Sequence, residues 1–302
     1  MSKWPNFFIV GSAKSGTTSM YYYLKDHPDI FFSTPKEPSY FSNKFLNYPY
    51  SAEDKRSQFF MSYLINNEKE YLKLFESSNC KKAIGEATPN YLYYNESAIE
   101  IKKKVPDAKI IILLRNPVER AFSSYMMNVR DLDETESFEE ALRLEEYRIK
   151  QNYHYAWFYK KTGLYYKQVK KFLDTFGKDK VKIVLFDDIC RDKKGTLKDV
   201  CEFLEVDASY YDDYDFKMFN VSGRPKVKFI NYLLRQKNPI RSAVQKILPY
   251  HFRHKTTFHI LKMNCKKEDM NSSTRKELQN HFNKDIRDLS SLIKKDLSHW
   301  LS

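Results

Sequence analysis

The chain has 302 residues, of which 42% are hydrophobic, so it is long and apolar enough to bury a substantial core, which excludes a disordered or fibrous protein. Its formal net charge of +13 predicts a surface that attracts anions such as nucleotides, acidic glycans, nucleic acids or anionic membranes. Charge alone does not choose among these partners.

The first residues, MSKWPNFFIVGSAKSGTT, contain neither an apolar segment of transmembrane length nor the layout of a signal peptide. We therefore expect a cytoplasmic protein without a transmembrane segment. The cysteines are widely spaced and form no cluster with metal-ligand spacing, which predicts free thiols and no metal site. They are Cys80, Cys190, Cys201 and Cys265.

Strand patterns recur along the first two thirds of the chain. The apolar run Phe7 to Val10 ends at Gly11 and precedes a small-residue loop and a helical pattern at Ser19 to Leu24. The runs Lys109 to Leu114 and Val181 to Phe186 are almost wholly aliphatic, which is typical of strands covered on both faces in a parallel sheet.

Helical patterns lie between these strands. They cover Ser97 to Lys104, Ser137 to Tyr147 with the capping box Ser137-x-x-Glu140, Tyr165 to Phe176 before Gly177, and Gly195 to Leu204. The alternation predicts an α/β fold, a P-loop-like parallel sheet flanked by helices. Without repeats or linkers we expect one domain, residues 1–302, with an insertion of short helices and loops at 43–80 and a basic helical part at 239–302.

A glycine-rich loop, Gly11-Ser-Ala-Lys-Ser-Gly-Thr-Thr18, follows the first strand and precedes the first helix, where backbone N–H groups can hold phosphate oxygens. The pattern GxxxxGK[ST] fits at Gly11 and Gly16, but Thr17 occupies the lysine position and the lysine lies inside the loop as Lys14. This displacement argues against an ordinary ATPase or kinase.

The strand ending at Leu114 is followed by Arg115, where many nucleoside triphosphate enzymes carry an aspartate that holds Mg²⁺. An arginine at this strand end can instead pair directly with a phosphate. Ser123, in the helical segment Val118 to Met126, can add a hydroxyl. The pattern predicts a metal-independent anion site.

These segments resemble the PAPS-dependent sulfotransferases, and among them the heparan sulfate and carbohydrate branch, as a bacterial-type member; PAPS is 3′-phosphoadenosine 5′-phosphosulfate. The loop is similar to the family's 5′-phosphosulfate loop, which implies donor contacts from Lys14, Ser15, Gly16, Thr17 and Thr18. The stretch Leu114 to Tyr125 is similar to its 3′-phosphate segment, which implies contacts from Arg115 and Ser123.

Two further segments carry the resemblance. Pro35 to Phe41 is similar to the K-E-P-H-F-F stretch of the heparan branch, which implies that Glu37 is the catalytic base. Ser222-Gly223-Arg224-Pro225-Lys226 is similar to the K-G-R-P-H loop around the nucleotide. The resemblance covers most of residues 5–226, which we take as the donor-binding core.

The positions at which this sequence departs from the family's motifs lie in the segments expected to contact the acceptor. Ser39 stands where the family has histidine, and Glu86-Ala-Thr-Pro89 lacks the lysine of E-K-T-P, although Glu86 is an alternative base. The implied acceptor is a hydroxyl or amino group of a carbohydrate or glycoconjugate, including a glycolipid; small alcohols and peptide tyrosines stay open. Tyrosines near the expected cleft are candidate sugar platforms, namely Tyr48, Tyr50 and Tyr91 to Tyr94.

The resemblance also implies a mechanism. Lys14 neutralises the charge on the leaving phosphate oxygen and Glu37 takes the acceptor proton, so that PAP, 3′-phosphoadenosine 5′-phosphate, is the product.

A P-loop kinase lacks support because its loop lysine and Mg²⁺-binding acid are missing. A nucleic-acid-binding protein is the other alternative, but no binding module is visible, and we expect no nucleic acid partner. His27 and His154 are expected to be structural.

Overall fold

A computed structural model describes residues 4–46, 48–54, 57, 61, 64–216, 224–235, 256–257, 260–261, 263–266 and 268–302. Its main sheet has five parallel strands in the order β2-β3-β1-β4-β5. They are β1 Phe7–Gly11, β2 Ile30–Phe32, β3 Ala83–Ala87, β4 Lys109–Leu114 and β5 Val181–Leu185. The parallel α/β sheet expected from the sequence is confirmed.

Helices cover both faces of this sheet. Alternate residues of β1 and β4 point into two separate cores: Phe8 and Ile110 lie in one, whereas Phe7 and Ile111 lie in the other. All four side chains are fully buried, which explains why these strands read as continuous apolar runs.

The helices in the first half are α1 Thr17–Lys25, α2 Glu68–Lys73, α3 Asn90–Tyr93, α4 Ser97–Lys104, α5 Pro117–Arg130, α6 Phe138–Arg143 and α7 Glu145–Lys150. Those in the second half are α8 Tyr165–Phe176, α9 Phe186–Arg191, α10 Lys193–Leu204, α11 Lys228–Arg235 and α12 Ser272–Ile293. A short antiparallel pair joins β6 Arg224–Pro225 to β7 Cys265–Lys266. Short 3₁₀ helices include Tyr40–Phe45, Glu76–Ser78, Tyr155–Trp157 and Ala208–Tyr211.

Most predicted elements are present, and three details differ. The predicted helix from Ser137 to Tyr147 is two helices that meet at Leu144, although the Ser137 hydroxyl does accept a hydrogen bond from the Glu140 amide at 3.2 Å. Phe186 begins α9 rather than ending β5. The sequence analysis did not identify β2 and β3.

The C-terminal helix α12 is part of the main core. Its buried residues Leu278, Phe282 and Ile286 lie in the same hydrophobic cluster as Val169 of α8. The Asp285 carboxylate accepts hydrogen bonds from the first amides of α8, at 2.7 Å from Tyr165. Residues 272–293 of the predicted C-terminal helical part are thus helical, whereas residues 239–255 lie outside the described residues.

The segment from Asn43 to Cys80 contains short helices and loops where the structure describes it, including α2. All four cysteines, each within the described residues, are free. Among the described residues, no helix combines the length and apolarity needed to span a membrane. The same residues contain no group of three or more His, Cys, Asp or Glu side chains arranged to hold a metal ion.

Candidate active site

The glycine-rich loop connects β1 to α1 at the carboxyl edge of the sheet. Gly16 adopts φ 92° at the N-cap of α1 and has no side chain to cap the helix, so the first amides of α1 are available to an anion. A Cβ atom on Gly16 would lie 3.1 Å from the Phe186 ring and in a strained backbone conformation. Lys14 also has a left-handed backbone, with φ 72°.

Arg115 lies next to this loop because β4 pairs with β1 and ends beside it. Its Nη1 donates to the Lys14 carbonyl at 3.4 Å, and its guanidinium carbon lies 4.8 Å from the centre of the Phe186 ring. The Glu119 carboxylate, in the first turn of α5, lies 3.9 Å from Nη2. Stacking on Phe186 holds the guanidinium beside the loop.

Tyr165, which the sequence analysis did not identify, joins the loop to the end of β4. Its buried hydroxyl donates to the Arg115 carbonyl at 3.1 Å and accepts from Ser12 Oγ at 3.3 Å. Burial raises the pKa of this phenol, so it remains a neutral donor. The tyrosine thereby fixes the two predicted phosphate-binding segments relative to each other.

A cavity of about 370 Å³ lies above the loop, and we call it the phosphate-loop cavity. Most of the predicted site residues line it, namely Lys14, Gly16, Thr17, Thr18, Glu37, Arg115 and Ser123. Ser15 does not line the cavity; it is fully buried beneath it, where its hydroxyl lies 2.5 Å from that of Ser12.

The late loop predicted to contact the nucleotide, residues 222–226, does not line the phosphate-loop cavity where the structure describes it. Arg224 is exposed and pairs through Nε with Glu268 Oε1 at 2.5 Å, and Lys226 is also exposed. Pro225 is buried, and none of these three residues lines the phosphate-loop cavity. Ser222 and Gly223 lie outside the described residues.

Two arginines of α5 that the sequence analysis did not single out, Arg120 and Arg130, also line the phosphate-loop cavity. Arg120 is only 2% exposed; its Nη2 donates to the Tyr159 carbonyl, whereas its Nε has no hydrogen-bond partner among the described residues. Burial lowers the pKa of Arg120. A buried cation with an unused donor beside a cavity is suited to an anionic ligand.

Glu37 lies in the loop after β2, in a segment with unusual backbone angles. Glu37 has φ 64° and Ser39 has φ 55°, a left-handed conformation that side chains other than glycine rarely adopt. Such conformations cost free energy and concentrate at functional sites. The Glu37 carboxylate is paired with Lys36 and is 35% exposed, so it is accessible to a ligand.

Side chains after β3 hold this loop. Asn90 Nδ2 donates to Ser39 Oγ at 3.1 Å. The Tyr91 hydroxyl accepts from the Phe41 amide at 3.2 Å and donates to Glu86 at 2.6 Å. These contacts connect the Glu37 loop to the buried end of β3.

Glu86 is fully buried and does not line the phosphate-loop cavity. Hydroxyls of Tyr71, Thr88 and Tyr91 donate to its carboxyl group. Burial raises its pKa to about 7, because the effect of burial exceeds that of the three hydrogen bonds, which lower the pKa. Its position is that of a structural carboxyl group under the Glu37 loop rather than that of a base facing a substrate.

A second cavity, of about 430 Å³, lies on the other side of Glu37, and we call it the tyrosine cavity. Its lining includes Tyr21, Tyr22, Lys25, Lys36, Glu37, Ser39, Tyr50, Asn90 and His154. Of the candidate sugar platforms, Tyr50 lines it. Tyr91 is fully buried and Tyr48 lies outside the lining. Glu37 is common to both cavities.

The histidines have the structural contacts expected of them. A ring nitrogen of His27 lies 2.8 Å from the Asp207 carbonyl, and the His154 Nδ1 atom accepts from the Ala156 amide at 3.3 Å. Both side chains are buried. His154 also forms part of the wall of the tyrosine cavity.

A sequence model of the sulfotransferase family matches residues 5–212, well over half of the chain. The chain belongs to the sulfotransferase family. A solved sulfotransferase from Alicyclobacillus acidocaldarius is 35% identical, with a TM-score of 0.78 over 99% of this chain and 100% of that one. This sulfotransferase therefore shares both the family's sequence pattern and its fold.

Curated relatives match over smaller parts of this chain and of their own length. The membrane-associated sulfotransferase kil1 of Dictyostelium discoideum is 37% identical over 136 residues, which are 44% of this chain and 25% of that protein. Mouse carbohydrate sulfotransferase 15 is 29% identical over 245 residues, or 67% of this chain and 44% of that protein. The chain thus spans less than half the length of these two relatives.

Proposed function

We propose that this sulfotransferase transfers the sulfuryl group of PAPS to a hydroxyl group of a carbohydrate acceptor. The observation that carries the proposal is the phosphate-loop cavity, which brings the uncapped N-terminus of α1, Lys14, Arg115 and Glu37 around one space. A cavity with several cations and one carboxylate is suited to a polyanionic donor and one proton transfer.

The donor contacts divide between two segments. Lys14, Gly16, Thr17 and Thr18 line the cavity and supply amides, hydroxyls and a charge for the 5′-phosphosulfate, supported by the helix N-terminus, whereas a donor contact of the buried Ser15 stays a prediction. Arg115 and Ser123 bind the 3′-phosphate, and Arg120 adds a buried positive charge to the same wall. The contact of the late loop, residues 222–226, with the nucleotide stays a prediction.

The chemical step forms one bond and breaks one. The acceptor oxygen forms a bond to sulfur while the bond from sulfur to the bridging phosphate oxygen breaks, which releases PAP. Glu37 accepts the proton of the acceptor hydroxyl, a contribution of roughly 10²- to 10⁴-fold. Lys14 neutralises the charge on the departing oxygen, which is worth roughly 10²- to 10³-fold.

A carbohydrate acceptor is supported by the names of relatives. Carbohydrate sulfotransferase 15 and the heparan sulfate glucosamine 3-O-sulfotransferase 3B1, both of mouse, are named for glycan substrates. The second is 25% identical over 74% of this chain. The tyrosine cavity supports the same assignment because it opens onto Glu37 and has aromatic walls.

Calorimetric titration with PAP, without added metal, tests the donor site. We expect micromolar binding that weakens about 10- to 100-fold in Arg115→Ala, because a charged hydrogen bond to phosphate is lost. Lys14→Met should lower kcat about 10²- to 10³-fold. Arg287→Ala and Lys276→Met, both exposed on α12, are the matched controls and should leave binding and turnover unchanged. Tighter binding of ATP with Mg²⁺ than of PAP would overturn the proposal.

A further inference from the structure

Arg115 and Phe186 form a stacked pair in the wall of the phosphate-loop cavity. Both residues line the cavity, and the Arg115 guanidinium carbon lies 4.8 Å from the centre of the Phe186 ring. Arg115 directly follows β4 and Phe186 directly follows β5, so the pair joins two corners of the chain. An arginine side chain has many rotamers, so the position of this guanidinium depends on what holds the two corners together.

Trp300 contacts the residue that follows each member of the pair. Its indole Nε1 donates to Asp187 Oδ2 at 2.7 Å, and Asp187 is next to Phe186 in the chain. Its carbonyl oxygen accepts from Asn116 Nδ2 at 3.2 Å, and Asn116 is next to Arg115. One residue thus bonds to both corners, and we call Trp300 with these two hydrogen bonds the Trp300 clasp.

Asn116 uses both ends of its side-chain amide. As the N-cap of α5, its Oδ1 atom accepts from the Val118 amide at 3.0 Å, while its Nδ2 atom donates to Trp300. The two bonds fix the orientation of the amide and the point at which α5 begins. The helix that carries Ser123 in the cavity wall is therefore held at its first turn by the same residue.

The Trp300 clasp is anchored in the main hydrophobic core. Trp300 is only 1% exposed, Leu297 is fully buried, and both lie in one cluster with Phe282 of α12. Gln279 of α12 also donates through Nε2 to the Ser302 carbonyl at 2.8 Å. Since side chains in a close-packed core move little, Trp300 is suited to act as a fixed support for the two corners.

Trp300 does not itself line the phosphate-loop cavity, so its contacts support an indirect role. We propose that Trp300 is a positioning residue of the donor site: through Asp187 and Asn116 it holds the stack of Arg115 on Phe186 in the orientation that binds PAP. This inference rests on the sulfuryl transfer proposed above, in which Arg115 contacts the donor.

A double-mutant cycle tests whether Trp300 acts through Arg115. Trp300→Phe removes the indole donor and keeps an aromatic ring in the core. We expect calorimetry to show PAP binding about fivefold or more weaker than in the wild type. In the Arg115→Ala background the same substitution should change the Kd for PAP by less than about twofold, because the group that Trp300 positions is already missing.

Asn116→Ser supplies a second test in case Trp300→Phe folds poorly. Serine keeps an N-cap oxygen for α5 but lacks the amide donor to the Trp300 carbonyl. We expect it to weaken PAP binding about threefold or more in the wild-type background and by less than about twofold beside Arg115→Ala.

Trp157→Phe is the matched control for lost stability. Trp157 is also a buried tryptophan, and its Nε1 atom donates to the buried Asp54 carboxylate at 2.8 Å. It does not line the phosphate-loop cavity. This variant should lower the Tm in scanning fluorimetry, as Trp300→Phe should, but it should leave the Kd for PAP within about twofold of the wild type.

The outcomes separate the two proposals. Failure of the wild type to bind PAP contradicts the proposed function itself. Normal PAP binding by the wild type, together with unchanged affinity in Asn116→Ser and in a folded Trp300→Phe, overturns the positioning role alone. Losses that add in full to the loss in Arg115→Ala also overturn it, because Trp300 would then act on another part of the site.

Discussion

The phosphate-loop cavity and the tyrosine cavity are neighbours that are built in different ways. The first lies at the ends of β1 and β4 and at the beginnings of α1 and α5, so paired strands fix its groups. The second is formed largely by loops, including residues 34–39, and by Leu46, Tyr50 and Leu64 from the 43–80 segment. Under the proposed function, donor binding would depend on the sheet and acceptor choice on the loops.

Glu37 is the residue where this division can be tested with the largest effect. Glu37→Gln removes the proton acceptor but keeps the shape and the hydrogen-bonding reach of the side chain. We expect kcat to fall about 10²- to 10⁴-fold, while the Kd for PAP changes less than about threefold. Steady-state kinetics with PAPS and calorimetry with PAP measure the two quantities.

The matched control is Glu76→Gln, an exposed glutamate outside both cavities, which should behave as the wild type. An equal loss of PAP binding and turnover in Glu37→Gln would contradict the division between the cavities, because it would make Glu37 a donor-binding residue.

Substitution of Arg120 tests the phosphate-loop cavity, and we expect an effect on PAP affinity that is smaller than the effect of Glu37→Gln on kcat. Arg120→Met removes a buried charge without a carboxylate hydrogen-bond partner among the described residues, but it also shortens the side chain and removes the hydrogen bond to the Tyr159 carbonyl, so the Tm of the free protein should change little. PAP binding should weaken about 10-fold or more because a charge facing the donor is lost. Differential scanning fluorimetry with and without PAP, together with calorimetry, measures both quantities.

Arg148 offers a matched control, because it is a buried arginine whose guanidinium is paired with Glu134 at 2.7 and 3.0 Å. Arg148→Met should lower the Tm and leave the Kd for PAP unchanged. A lower Tm with unchanged PAP affinity in Arg120→Met itself would make Arg120 a structural residue.

Substitution of Glu86 tests how the Glu37 loop is held against the sheet. We expect it to change the free energy of unfolding rather than the rate of the reaction. Folding raises the Glu86 pKa from about 4.5 to about 7, so the folded chain binds this proton more tightly than the unfolded chain does. Its contribution to stability is therefore present in full below pH 4.5 and is lost as the pH rises to 7, by on the order of 3 kcal/mol. Glu86→Gln should remove this slope in urea unfolding measured from pH 4.5 to 7.5.

Tyr71→Phe supplies a second test in case Glu86→Gln folds poorly. This variant deletes one hydroxyl that donates to the carboxylate, so the Glu86 pKa should rise further and the loss of stability should extend to higher pH. A wild-type slope in both variants would show that Glu86 does not titrate in this range.

Much of the lining of the phosphate-loop cavity was predictable from the sequence because its signals are local. A buried strand, a glycine-rich loop and a helix start follow one another from Phe7 to Leu24, and Arg115 directly follows the clearest strand pattern. Parallel strands bring such segments to one edge, so chain order was enough to place them together. Arg120 gave no comparable signal, because an arginine in an amphipathic helix is usually solvated.

The sequence by itself determined the alternating strands and helices, the family resemblance and the loop around Lys14, since these depend on local periodicity and spacing. Only the tertiary structure identified β3 as a strand, because Gly85 and Glu86 have weak strand preference and depend on the neighbouring Phe7 and Tyr71. It also decided that Tyr165 joins the glycine-rich loop to the end of β4 and that Glu37 lines two cavities. These relations connect residues far apart in the chain, and only the packing of loops against the sheet creates them.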